Sequence, residues 1–390
     1  MTGMFARPIH SQPHVSARLL MRPTSRTMAK ALAVAPTLYH FSRDAIHALF
    51  GALGYPSGTP AWMPSFHCGM EVRAAADAGF VPRFYGVKKD LCIDIDDLSR
   101  GLHNEPGPVL LIHYFGFPQP ATVEVAALCR QAGVPLVEDC SHAFLSRFAG
   151  RELGSFGHAA TFSLYKTLGT SDGGALRVEE TELSRLTGQR FSLLPPRTQP
   201  IVAWDAYRKK GQSMAMVSEN SRRKHSELVE RFEQRVVTAR RRIFAGEWIY
   251  GNGISRFSRA VIQRLDAEVV FERRRRNYLQ LEALLRPAQN YHPVLPDLPA
   301  ETCPLYLPIF VRQRTEMLVR LQVAQVEPFI FGMFNHPAME PSRFPASRQL
   351  REEILCLPVH QDLAAEDLKR LASVLLPLLD AGAGNSFAGE

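Results

Sequence analysis

Between residues 108 and 180 the chain repeats one pattern: an apolar run, a break, an amphipathic stretch, then another apolar run. PVLLIHYFG (108–116) predicts a buried strand and ATVEVAALCRQAG (121–133) an amphipathic helix closed by glycine. VPLVED (134–139), HAATFSLY (158–165) and GALRVEE (174–180) predict three more strands. Upstream, SRDAIHALFGAL (42–53) has helical spacing and ends at Gly54-Tyr55-Pro56. AWMPSF predicts a strand, EVRAAADAG (71–79) a helix, VPRFYGV a strand, and DLCIDIDDLSRGL leads into a further helix. Strands alternating with helices at this spacing leave few solutions. They predict an α/β fold built on a mixed, mostly parallel, doubly wound sheet. Ligands of such sheets bind at the carboxyl ends of the strands, where Asp139 and Lys166 both fall.

The rest of the chain divides around this unit. Residues 1–38 form an irregular, basic, Pro-containing segment, and 39–246 the large domain. Within it, 181–246 is rich in Arg, Lys, Gln, Ser and Glu. It predicts a charged helical connector or lid, with a long helix over 218–243. Residues 247–380 predict a smaller C-terminal α+β domain. Its parts are a helical segment (258–285), a strand PLYLPIFV (304–311), a helix EMLVRLQVAQ, a strand or turn LCLPVH (355–360) and a last helix EDLKRLASVLLPLL (366–379). Residues 381–390 form a loose tail. There is no internal repeat.

Composition excludes several classes. With 46% hydrophobic and 22% charged residues, the chain has the make-up of a soluble globular protein with ample core. No apolar run reaches the roughly 18 residues of a membrane span, and the basic N-terminus lacks a secretory h-region. The six cysteines (Cys68, Cys92, Cys129, Cys140, Cys303, Cys356) form no C-x-x-C pair, as expected for reduced thiols in a cytoplasm. The net charge of +8 comes mostly from arginine. The runs ARRRIF (239–244) and ERRRRN (272–277) predict solvated helix faces first and attraction of anionic substrates second. No nucleic-acid-binding pattern accompanies them. There is no G-x-S-x-G elbow for a hydrolase serine, and no acidic cluster at metal-ligand spacing.

Three features carry chemistry. Lys166, just past an apolar run, is either a surface lysine or an amine nucleophile whose pKa desolvation lowers. Asp139 either caps the following helix, binds a metal or holds the ring nitrogen of a cofactor. Asp172-Gly173-Gly174 forms a tight turn that also lets backbone approach a ligand closely.

Taken in order, these features resemble a pyridoxal-phosphate (PLP) enzyme of the aspartate-aminotransferase fold type I. More closely, they resemble the DegT/DnrJ/EryC1/StrS family of sugar aminotransferases, over about Tyr39 to Leu379. The blocks that carry the resemblance are MPSFHCGMEVRAAADAGFVPRFYGV, LIHYFGFPQPATVEVAALCRQAGVPLVEDCSHAF, GRELGSFGHAATFSLYK with DGGALRV, ERRRRNYLQLEALL, and LCLPVHQDLAAEDLKRLASVL. The resemblance implies that Lys166 forms a Schiff base with PLP and shuttles the proton of the reaction. It implies that Asp139 pairs with the pyridine nitrogen, His142 reaches the ring hydroxyl and Ser163 bonds the phosphate. Ser42 and Arg43 fall at the start of the phosphate-binding helix. The position that stacks on the ring falls near Phe66, His67 and Cys68. Asn252 is either a residue reaching the partner subunit's site or part of a Gly-Asn-Gly turn, and His360 is a structural turn residue. Three departures stand out. Phe41-Ser42-Arg43 replaces a common Ser-Gly-Thr, Ser171 replaces a common glycine, and the lysine-to-acid spacing is one residue short.

The implied activity is transfer of an amino group from glutamate to a keto-sugar, nucleotide-linked, in polysaccharide or glycoconjugate biosynthesis. The implied protein is a cytoplasmic homodimer that binds neither nucleic acid nor metal. The alternatives are another PLP reaction on a sugar, such as dehydration, and a binding or regulatory homologue that has lost activity.

Overall fold

The computed structural model of this chain describes residues 8–15, 17–35, 37–178 and 248–381. The connector, lid and long helix expected within 181–246, the ARRRIF run and nearly all of the C-terminal tail lie outside the described residues. The strands of the first half are β1 (Thr37–Tyr39), β2 (Pro60–Pro64), β3 (Val81–Tyr85), β4 (Val109–Ile112), β5 (Leu136–Cys140), β6 (Arg147–Phe148), β7 (Arg151–Glu152), β8 (Ala159–Ser163) and β9 (Gly174–Val178). Seven of them form one sheet in the order β1-β9-β8-β5-β4-β2-β3, and β6 with β7 forms a small ribbon. Neighbours from β8 to β3 pair in parallel, whereas β9 is antiparallel to both β8 and β1. The sheet is therefore mixed and mostly parallel, in an α/β fold.

The helices are α1 (Arg26–Leu32), α2 (Ser42–Ala52), α3 (Met70–Asp77), α4 (Ile95–Asn104), α5 (Thr122–Ala132), α6 (Leu164–Leu168), α7 (Arg256–Ile262), α8 (Ala267–Leu285), α9 (Arg314–Val323), α10 (Pro345–Glu353) and α11 (Ala365–Ala381). Strands β4 and β5 are buried at every residue, which is why β4 reads as an unbroken apolar run and β5 as one up to its two acids, rather than as alternation. A second, antiparallel sheet follows, made of β10 (His292–Pro293), β11 (Tyr306–Phe310) and β12 (Ile354–Pro358). One continuous apolar core runs from Leu110 and Val137 of the first sheet to Tyr306 and Leu357 of the second.

Four local expectations are corrected. The strand expected to reach Tyr165 stops at Ser163, and the next five residues wind into α6, closed by Gly169 at φ 78°. Residues expected to be irregular form α1, where the Ser25 hydroxyl accepts from the Met28 N–H (3.3 Å), and β1, which pairs with β9 and bridges Gly253 through Tyr39. The helix expected over 258–285 is two helices, because the Asp266 carboxylate takes the Glu268 and Val269 N–H groups (3.0 and 3.2 Å) and starts α8 afresh. Finally, Ile254, Ile262 and Val270 pack with Phe162 and Leu164, so the chain after 247 first completes the core of the large sheet.

Candidate active site

Strands β1, β2, β4, β5 and β8 run the same way, so their carboxyl ends share one edge. Asp139 lies near the end of β5, opposite Thr161 of β8. Lys166 follows β8 on the first turn of α6. One cross-strand row, Tyr39–Gly174–Ser163, links β1, β9 and β8 at this edge. A Cβ on Gly174 would sit 2.2 Å from the carbonyl carbon of Phe41 and 2.6 Å from Ser42 N. The glycine of the D-G-G turn thus lets the start of α2 rest on β9, close to Ser163. The Ser163 Oγ is fully buried and has no hydrogen-bond partner among the described residues. The first N–H groups of α2 have no acceptor within the helix, which makes that end a site for an anion. Arg43 is buried there, its guanidinium 4.6 Å from the Phe41 ring centre and 4.8 Å from that of Trp248.

Asp172 explains the acid of the turn. Its carboxylate accepts from the Ser255 N–H (2.6 Å), the Ser255 hydroxyl (2.7 Å) and the Ser258 hydroxyl, tying the turn to the start of α7. The sequence offered no sign of these long-range partners. His40 was missed as well. It is 1% exposed, and neither ring nitrogen has a partner among the described residues. Burial and the nearby Arg43 charge lower its pKa to about 4, so at neutral pH the ring is uncharged. The His40 N–H donates to the Asn252 carbonyl (2.9 Å), which places half-buried Asn252 beside the start of α2 in its own chain.

The electrostatics of Lys166 overturn one expectation. Burial alone would lower its pKa, but Tyr165, Cys68, Asp139 and Glu71 outweigh that and hold the ammonium above the ordinary lysine value. Glu71 is the residue that sequence reasoning passed over, and Cys68 was named there only as lying near the ring-stacking position. They follow the carboxyl end of β2. The Cys68 N–H and S–H both donate to the Glu71 carboxylate (2.9 and 2.7 Å). Burial, then the neighbouring Asp139, raises the Glu71 pKa. Asp139 itself takes the Ser141 N–H at 2.8 Å, a local turn bond like that of a capping aspartate.

His142 is buried against Phe115, the rings stacked at 5.7 Å. Its Nδ1 accepts the Phe115 N–H (3.4 Å), which assigns the ring proton to Nε2 and makes that atom a donor. Burial and Lys166 push its pKa well below the usual histidine value, so it stays neutral. His67 is corrected: it is part of the scaffold rather than a ring-stacking residue. Its Nδ1–H donates to the Pro64 carbonyl (3.0 Å), its Nε2 accepts from the His336 N–H (3.1 Å), and its ring stacks on Phe84. Behind the sheet, Glu138 takes His113 Nε2–H (3.0 Å) and the N–H groups of Gly154 (2.9 Å), Phe156 (2.7 Å) and Gly157 (2.6 Å). With Cys140 this pair forms a His-Glu-Cys cluster, but its carboxylate oxygens already have donors.

The sequence profile of the DegT/DnrJ/EryC1/StrS aminotransferase family matches residues 42–192. The match covers less than half of the chain. Within the same region lie Lys166, Asp139, Ser163 and α2. The chain is 28% identical over 134 residues to a GDP-perosamine synthase of Vibrio cholerae, covering 33% of this chain and 36% of that protein. It is 33% identical over 172 residues to the dTDP-4-dehydro-2,3,6-trideoxy-D-glucose 4-aminotransferase of Saccharopolyspora spinosa, covering 42% and 44%. It thus spans less than half the length of these curated relatives. The fold extends further. The aminotransferase TlmJ of Streptoalloteichus hindustanus superposes with a TM-score of 0.70 at 21% identity, covering 97% of this chain and all of that one. Helicobacter pylori PseC does so with a TM-score of 0.70 at 16% identity, covering 96% and 100%.

The DegT/DnrJ/EryC1/StrS cofactor, PLP, fits the residues present. Ser163 Oγ is a buried hydroxyl without a partner among the described residues, α2 opens toward the same place, and Gly174 leaves the backbone room. Asp139, a half-buried lysine and a donor imidazole stand along the neighbouring strand ends.

Proposed function

We propose that this chain is a PLP-dependent aminotransferase that moves an amino group from glutamate to a nucleotide-linked keto-sugar, in polysaccharide or glycoconjugate biosynthesis. One observation carries the reading: Lys166 and Asp139 stand at the carboxyl ends of adjacent parallel strands, beside a buried, unpartnered Ser163 hydroxyl under a helix start. The sugar-aminotransferase relatives support the substrate class, and the arginine content suits an anionic substrate.

Bound PLP would supply an electron sink for the bonds around the amine-bearing carbon of the substrate. Asp139 would hold a proton on the ring nitrogen. His142 Nε2–H would donate to the ring hydroxyl. Ser163 Oγ, the first N–H groups of α2 and Arg43 would hold the phosphate, with Asn252 beside the start of α2 in the same subunit of a cytoplasmic homodimer. Lys166 Nζ, once neutral, would take up and return the proton of the reacting carbon. The Asp139 and Glu71 carboxylates favour its charged form, so partners that neutralise them free the amine.

The test is spectral and isotopic. Purified full-length protein given PLP should develop the visible band of a lysine-bound cofactor, and Lys166→Ala should not. With 15N-glutamate and a panel of nucleotide-linked keto-sugars, label should appear in the sugar. A band without label transfer would sink the aminotransferase reading and leave cofactor binding standing.

A further inference from the structure

The basic run Glu272 to Asn277 is not simply a solvated face. Arg273 and Arg276 are exposed, but Arg274 is 1% exposed and turns into the protein. Its Nη2 donates to the Thr167 carbonyl (2.7 Å), and its Nη1 to the carbonyls of Leu305 (3.2 Å) and Pro304 (3.3 Å). No carboxylate lies within ion-pair distance of it among the described residues. An arginine buried without an acidic partner is poor economy for stability, since an apolar side chain of similar volume usually serves a core as well or better. What it holds therefore decides why it is there.

What it holds is the helix that carries Lys166. Helix α6 has five residues, too short to be stable by itself. The last carbonyls of any helix lack partners within it. Gly169 N–H closes back on the Tyr165 carbonyl (2.8 Å). The Thr167 carbonyl takes Arg274 and also Gln361 Nε2 (3.2 Å), a side chain 7% exposed, just after the LPVH segment. Asn277, one turn further along α8, donates to the His360 carbonyl (2.8 Å) and keeps that segment against α8. The other side of the fork reaches the opposite wall. The Leu305 N–H donates to the Phe115 carbonyl (2.7 Å), and the Phe115 N–H donates to His142 Nδ1.

We propose that Arg274 is a positioning residue for Lys166: with Gln361 it grips the Thr167 carbonyl and fixes where the amine stands relative to Asp139 and His142. The planar fork matters, because a guanidinium holds its donors in one fixed plane toward three carbonyls; a lysine ammonium keeps the charge and three donors but loses that geometry. This inference rests on the proposed role of Lys166, and its test has one arm that needs no cofactor.

Arg274→Met, Arg274→Lys and Gln361→Leu would be compared with wild type and with Arg275→Ala, a neighbour in the same run. In the first arm, PLP is added to full-length protein, trapped with borohydride and quantified at the Lys166 peptide. In the second, trace acetic anhydride labels the same lysine without cofactor, with Lys88 and Lys89 as internal references. A lysine that has lost its hold should be captured more slowly by PLP, by about tenfold for the Arg274 variants and about threefold for Gln361→Leu. It should also be acetylated faster, because the loosened helix exposes it. Arg275→Ala should match wild type in both arms. Wild-type rates in both arms for Arg274→Lys and Gln361→Leu overturn the proposal. If Arg274→Met does not fold by circular dichroism, those two variants decide alone. If wild type takes no PLP at Lys166, the cofactor reading falls, and the acetylation arm still measures the grip of Arg274.

Discussion

Glu138 and Asp139 are consecutive acids on β5, and they do opposite things. Side chains alternate along a strand, so the two carboxylates leave opposite faces of the sheet. Glu138 is fully buried and receives four donors, three of them backbone N–H groups. Burial alone would raise its pKa, but His113 and those N–H groups prevail and hold it below the ordinary glutamate value. Asp139 receives one local N–H and stands on the face that carries Thr161 and Ser163, whose hydroxyls have no partners among the described residues. A carboxylate whose donors are all supplied by the fold has nothing left to offer a ligand. One left open beside unpartnered hydroxyls does. The difference separates an anchor from a site where sequence shows only "ED".

The comparison breaks first at Asp139. Asp139→Asn keeps the shape and an acceptor for the Ser141 N–H, so the melting temperature should stay within a degree or two. Steady-state kinetics with the sugar substrate should show kcat lower by about a hundredfold or more, since an amide cannot hold the ring proton. Equal loss of stability and activity would mean that Asp139 is an anchor too.

Glu138→Gln should do the reverse. An amide replaces one acceptor oxygen by a donor that faces N–H groups, so urea unfolding should show a loss of about 2–4 kcal/mol. The folded fraction should keep kcat within severalfold.

Glu71→Gln is a smaller third case. It removes one of the charges that hold Lys166 protonated. The pH midpoint of Lys166 acetylation should therefore fall, by about one unit or less, while Lys88 and Lys89 do not move. An unchanged midpoint would show that Tyr165, Cys68 and Asp139 set the charge of the lysine without Glu71.

Much of the first sheet was legible because β4, β5, β8 and α5 announce themselves locally, through short apolar runs, helical spacing and a closing glycine. Lys166 and Asp139 were legible as candidates for the same reason: each directly follows such a run. What was not legible depends on partners far away in the chain. Three residues, Thr37–Tyr39, have no periodicity, and they become a strand by pairing with β9 and bridging Gly253. The Asp172–Ser255 bond spans 83 positions, and the grip of Arg274 on Thr167 spans 107. A run such as ERRRR looks the same whether one of its members turns inward or not. The apolar look of the Lys166 pocket suggested a lowered pKa, because the sequence did not show that Glu71 and Asp139 converge on it. His67 misled in the converse way. It stands next to the site in sequence, and both of its nitrogens are taken by backbone groups.

The same contrast should appear as opposite pH slopes in two anchoring acids. For Glu138 the folded pKa lies below the unfolded one, so its stabilisation is present above about pH 4.3 and is lost as pH falls through the folded value. Asp44 is also fully buried, but it takes one backbone N–H, from Phe41 at 3.0 Å, and its other oxygen has no partner among the described residues. Burial raises its pKa to about 6, against the pull of Arg43 and the N–H groups. Its folded pKa lies above the unfolded one, so its contribution is full below about pH 3.9 and is lost as pH rises through about 6. Asn at position 44 keeps an acceptor for Phe41 and carries no charge. Relative to wild type, Asp44→Asn should thus gain about 2 kcal/mol between pH 4 and pH 8. Glu138→Gln should lose ground between pH 3 and pH 6. Chemical unfolding of both variants across that range checks the signs. Parallel curves would mean that the supply of donors is not what separates these buried carboxylates, and the argument that marks Asp139 as the open one would lose its physical basis.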